Sequence, residues 1–137
     1  MRLILAVAAA ALVLPLATAP LTSAAPAVTP PPYVDHVEWA KWGDMSSLRV
    51  YPTASGRHTS GRPGTGGQAE QAWTEVLTLS PDAAIAGMRE QFVCHWQFAE
   101  LIEPGKVSWN LEPWRPEVSA DQMVAAGCNP GGSEEPF

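Results

Sequence analysis

The most varied polar chemistry in this 137-residue sequence falls within W-N-L-E-P-W-R-P, Trp109 to Pro116. Asn110, Glu112 and Arg115 place an amide, a carboxylate and a guanidinium close together. Alternation puts Asn110 and Glu112 on one face of a strand, and Pro113 and Pro116 stiffen the chain around Trp114 and Arg115. A stiff polar strand end can orient a ligand or hold a general acid. Asn110, Trp114 and Arg115 are therefore candidate ligand contacts, and Glu112 and Arg115 candidate catalytic groups. The competing reading is structural: Arg115 pairs with Glu112 or another acid, while Trp109 and Leu111 fill the core.

His95 is the third catalytic candidate. It adjoins Cys94, and a cysteine with a histidine is the pairing of a thiol nucleophile with its base. Adjacent helical residues do not face each other, however, and a bridged Cys94 has no thiol to use. His95 could still act as a general base with Glu112 or Glu38. Against this stands a histidine satisfied by a helix or loop partner. His36 and Glu38 share a strand face, but a His36–Glu38–His95 metal site matches no established ligand spacing. No metal and no cofactor are expected. The sequence contains no G-x-S-x-G, no H-E-x-x-H and no phosphate-loop pattern. Arg57, His58 and Arg62 lie in an acid-free stretch from Met45 to Ala69. They form a basic island suited to an anion, or simply a solvated loop.

Compartment decides between these chemistries. Arg2, the apolar run Leu3 to Leu14 and the small residues Thr22-Ser23-Ala24-Ala25 form the pattern of an export leader. The run is shorter than the ~20 residues of a membrane span. The expected cut follows Ala24, which makes residues 1–24 a signal peptide and leaves no membrane span afterwards. In an exported chain two cysteines allow one bridge, Cys94 to Cys128. The net charge is −6 and becomes one unit more negative once Arg2 is lost. An acidic chain is a poor general binder of nucleic acid, and a monomer is expected.

The elements that must position these residues follow from periodicity. Residues 25–32, A-P-A-V-T-P-P-P, read as a Pro/Ala-rich linker. Tyr33–Trp42 and Ser47–Tyr51 alternate around Gly43-Asp44, a hairpin. Thr53–Gly67 reads as a flexible glycine-rich loop. Ala69, Ala72, Trp73, Val76 and Leu77 give a helical stripe over Gln68–Leu79. Ser80-Pro81-Asp82 looks like the start of a second helix, whose stripe is Ile85, Met88, Phe92, Trp96 and Ala99. Gly87 weakens its beginning, so the firm part starts nearer Met88. Lys106–Glu112 alternates as a third strand. Ser119 with Gln122 is a capping box for a last helix, Ala120–Ala126, closed by Gly127. The fold class is α+β in the order ββααβα, a small antiparallel sheet on two or three helices with one disulfide. A single domain is expected over 33–128, with a flexible acidic tail at 129–137.

Six tryptophans lie between Trp39 and Trp114. Trp39, Trp73, Trp96 and Trp109 sit on apolar stripes as core pieces. Trp42 and Trp114 adjoin turn or proline breaks and are expected at the edge or partly exposed, where aromatic rings suit sugar or peptide faces.

Three stretches resemble a family of secreted actinobacterial domains of unknown function: H-V-E-W with L-R-V-Y-P-T, then G-M-R-E-Q-F-V-C-H-W, then W-N-L-E-P-W-R-P with G-C-N-P-G. The resemblance spans Tyr33 to Gly132. It implies export and a paired-cysteine pattern, and it transfers no catalytic residue. The expected function is an extracellular or cell-envelope binding protein, with cell-wall glycan or an extracellular protein as partner. The alternative is a small secreted hydrolase using His95 with Glu112 or Glu38, and Arg115 at an anionic substrate.

Overall fold

The computed structural model describes residues 14, 15, 17–21 and 28–132. The leader run lies almost wholly outside these residues; the cut after Ala24 and the chain from Ser133 onward lie outside them altogether. Among the described residues no helix is long and apolar enough to cross a membrane.

The architecture is α+β. β1 (Val34–Trp42) and β2 (Met45–Pro52) form the expected hairpin, and β3 (Trp109–Leu111) pairs antiparallel with β2 to give the order β1-β2-β3. The register aligns Val37 with Val50 and Trp109, and Trp39 with Leu48 and Leu111. That apolar set faces the helices. The opposite face carries the row Glu38, Arg49 and Asn110. One-residue alternation dictates this division.

Two long helices cover the apolar face. In α2 (Gly66–Leu79) the buried residues are Ala69, Ala72, Trp73 and Val76. Glu75 turns back to β1, where its carboxylate accepts from the backbone N–H groups of Tyr33 (2.7 Å) and Val34 (2.9 Å). The start signal at Ser80 opens only a single 3-10 turn, Pro81–Ala83. The helix proper, α3 (Met88–Ile102), waits until Gly87 has turned the chain at φ 84°, a left-handed value that a residue with a Cβ rarely takes. Phe92 lies 5.6 Å from Trp73 and 6.0 Å from Trp109, and Trp96 meets Trp109 edge-on at 6.2 Å, ring centre to ring centre. Edge and tilted pairs of this kind add about 0.5–1.5 kcal/mol each beyond their burial.

Two further expectations need correction, and one is met. Thr53–Gly67 is not a featureless loop: it contains a helix, α1 (Ala54–Thr59), whose N-cap Thr53 accepts from Gly56 N–H. Gly56 supplies close approach rather than flexibility, because a Cβ there would stand 2.2 Å from the Tyr33 carbonyl oxygen. Gly61 N–H donates to the Trp96 carbonyl at 2.8 Å and pins the rest of the stretch to α3. The third strand is shorter than its alternation, three residues instead of seven. The last helix, α4 (Ala120–Ala125), has its capping box: Ser119 Oγ accepts from Gln122 N–H and Gln122 Oε1 accepts from Ser119 N–H.

Candidate functional site

Glu112 is the first residue past β3 and follows Asn110 onto the outer face of the sheet. Its side chain has no exposure, and neither has that of Arg115. Arg115 Nε donates to Glu112 Oε2 at 2.5 Å, and Ser47 Oγ donates to Glu112 Oε1 at 3.0 Å. Arg115 Nη1 donates to the carbonyls of Pro130 (3.1 Å) and Gly132 (2.8 Å). The guanidinium also lies 4.6 Å from the centre of the Trp114 ring, within cation–π range.

Gln91, on α3, completes this arrangement. Its Nε2 donates to the Glu112 carbonyl and its Oε1 accepts from Glu112 N–H, both at 2.9 Å. One side-chain amide thus satisfies both backbone groups just beyond a sheet edge, where an unpaired buried group is costly. Sequence reasoning missed Gln91. Its only signal was a polar residue one position before the apolar stripe residue Phe92, three before Cys94 and four before His95.

His95 lies one turn along from Gln91. Its Nδ1 donates to the Gln91 carbonyl at 2.8 Å, and the ring is buried. It lines a cleft of about 200 Å³ with Phe98, Ile102, Lys106, Cys128 and Asn129. Neither Glu112 nor Arg115 belongs to that lining. Cys128 closes it through a disulfide to Cys94, with Cα atoms 5.6 Å apart.

The remaining candidates separate. Asn110 is half-buried on the outer sheet face, where its Oδ1 accepts from Ser108 Oγ at 2.7 Å. Trp114 and Trp42 are exposed, at 36% and 48%. Of the four stripe tryptophans, Trp73, Trp96 and Trp109 are buried and Trp39 packs against the core from a half-buried position. Glu38 is exposed and accepts from Tyr51 Oη at 3.1 Å. His36 stacks on Tyr51 at 4.1 Å between ring centres, and its Nδ1 lies 2.6 Å from Asp35. Among the described residues no group of three or more His, Cys, Asp or Glu is placed to hold a metal ion. In the basic stretch, Arg57 pairs with Glu100 at 2.5 Å and donates to the Val107 carbonyl, His58 is exposed, and Arg62 lines a groove beside α3.

A domain with these strands, this disulfide and this buried network has relatives. Residues 34–131 match the family described as "Protein of unknown function (DUF2599)", and the chain belongs to that family. It is similar to an uncharacterized protein of Mycobacterium tuberculosis, 61% identical over 107 residues, covering 78% of this chain and 72% of the relative. A counterpart in Mycobacterium bovis matches to the same extent. An uncharacterized protein of Mycobacterium leprae is 48% identical over 103 residues, covering 75% of this chain and 83% of the relative. No solved structure matches.

Proposed function

We propose that the chain is an exported, disulfide-stapled binding domain of the cell envelope or the extracellular space, with Trp114 and Asn110 as its ligand contacts. The observation that carries this reading is the closure of the Glu112–Arg115 pair. A hydrolase built on His95, Glu112 and Arg115 needs all three on one solvent-reached cleft. Here the carboxylate and guanidinium have no exposed side-chain surface and bond each other, and neither residue is part of the lining of the cleft that holds His95. What they leave at the surface is a proline-braced indole, steadied by a guanidinium beside its ring, and an amide on the edge strand. Those are groups for contacting a partner such as cell-wall glycan or an extracellular protein. The leader pattern and the Cys94–Cys128 bridge agree with export.

The test uses exported protein, whose N-terminal residue is expected to be Ala25, and insoluble cell-wall glycan in cosedimentation. Trp114→Ala and Asn110→Ala are expected to weaken retention about tenfold or more, as central contacts do, while Lys41→Ala leaves it unchanged. Equal retention by wild type and both variants removes Trp114 and Asn110 from the site. Release of soluble sugar that His95→Ala abolishes would replace the binding reading with the hydrolase.

A further inference from the structure

The proline-rich stretch before β1 is bonded to the domain in a way that its composition does not require. Tyr33 Oη donates to the Thr29 carbonyl at 3.1 Å, Ser55 Oγ donates to the Pro30 carbonyl, and Thr53 Oγ1 donates to the Pro32 carbonyl at 2.7 Å. Thr29 Oγ1 donates to the Ser55 carbonyl at 3.1 Å and lies 2.8 Å from Thr59 Oγ1. Half of the expected linker is therefore seated on α1.

The receiving surface has a definite chemistry. Pro30, Pro31 and Pro32 have no N–H to give, so a strand of this kind presents carbonyl acceptors. A surface that recognises its prolines must supply donors and ask for none from them; the one donor of the strand that α1 uses is the Thr29 hydroxyl. Tyr33, Thr53 and Ser55 do this with three hydroxyls, one to each of three carbonyls. Each proline ring fixes its own φ, so the bound strand loses little conformational freedom on docking. Gly56 keeps the receiving turn close: its missing Cβ lets α1 lie against the Tyr33 carbonyl.

We propose that Tyr33 and the first turn of α1 form a binding site for proline-rich strands, occupied in cis by residues 29–32. The resident strand is covalently joined to Tyr33, so its effective concentration is high and a strand in trans competes poorly. Loosening the resident opens the site. This reading is independent of Trp114 and Asn110.

The experiment uses the leader-free chain and a labelled synthetic peptide with the sequence of residues 25–32. In a variant carrying Thr29→Gly, Pro30→Gly, Pro31→Gly and Pro32→Gly, fluorescence anisotropy is expected to show binding at least tenfold tighter than to wild type. Adding Ser55→Ala weakens it about fivefold, the loss of one hydrogen bond, and a peptide with its prolines replaced by alanine does not bind. No binding to the released variant, or binding indifferent to Ser55→Ala, overturns the proposal. Should the four-glycine variant lose its near-ultraviolet tryptophan signal, Ser55→Ala alone is placed in the otherwise native chain. NMR relaxation at the Thr29 amide then reads the clasp: increased nanosecond motion supports the site, and unchanged motion overturns it.

Discussion

Among the described residues two apolar clusters are built on different terms. The larger one gathers fourteen buried side chains from Tyr33, the sheet, α2, the Pro81–Ala83 turn and α3, including Phe92, Trp73, Trp96 and Trp109. The smaller one consists of Cys94, Met123 and Cys128, with Phe98 and Val118 packed on its rim. The first buries enough aromatic surface to hold itself together. The second cannot, and three buried residues would not order α4 and the segment behind it against their chain entropy. Covalent and polar ties make up the difference. The disulfide joins α3 to the segment behind α4, and Arg115 joins the end of β3 to the Pro130 and Gly132 carbonyls. The residues that looked most like chemistry in the sequence are, for the most part, the ties between a self-sufficient core and a dependent one.

The largest expected effect strikes the joint between the two. Arg115→Ala leaves the Glu112 carboxylate buried without its cation, which costs about 3–5 kcal/mol. Replacing both partners by leucine removes the charge along with its partner and should cost much less. Urea unfolding followed by tryptophan fluorescence reads both. A cost below about 1 kcal/mol for Arg115→Ala would mean that solvent reaches the pair and that it is no joint. Next in size is the Cys94→Ala/Cys128→Ala double variant. Opening a 34-residue separation should lower stability by about 3–4 kcal/mol on the loop-entropy account. Hydrogen exchange then separates the clusters: α4 amides should lose protection first, while β2 amides hold theirs in proportion to global stability. Equal loss at α4 and β2 would make the two clusters one cooperative unit. Ser119→Ala, which removes the capping-box hydroxyl of α4, should cost about 1 kcal/mol. It should appear in α4 exchange before it appears in global unfolding.

The same contrast explains what was legible in the sequence. The hairpin, the α2 and α3 stripes and the Trp109–Leu111 strand were readable because the larger cluster imposes period 2 or period 3.6 on every element that feeds it. The Ser119–Gln122 box was readable because a cap is local chemistry. The helix α1 was not: Ser55, Gly56 and Thr59 are weak helix formers, and what favours the helix is contact with Tyr33 and residues 29–32, which no local pattern encodes. Gly56 read as freedom when its role is closeness. In the site, Glu112 and Arg115 were found from their types and spacing, and their pairing stood among the alternatives. Gln91 was invisible, since its partners are backbone groups 21 residues away. Burial turned a promising carboxylate and guanidinium into a closed pair, and burial is a property of the assembled chain.

The smallest effect expected lies at the edge of the larger cluster and tests whether that cluster, too, uses polar ties. Trp39 Nε1 donates to Ser80 Oγ at 2.9 Å, and Ser80 Oγ donates onward to Asp82 Oδ1. The Ser80 hydrogen bond holds the Asp82 carboxyl below the ordinary carboxylate value, against a weaker opposing push from desolvation. A depressed folded value means that the tie contributes fully above the unfolded carboxylate range and is lost as pH falls through the folded value. Asp82 is exposed, so the effect on stability is small, but Trp39 gives it an optical reporter. Its fluorescence should change on acidification below the usual aspartate range of about pH 4, and Asp82→Asn should abolish the change. An identical acid response in Asp82→Asn would assign it to another carboxylate. The larger cluster would then rest on packing alone at this edge, and the contrast with the disulfide-tied cluster would be sharper.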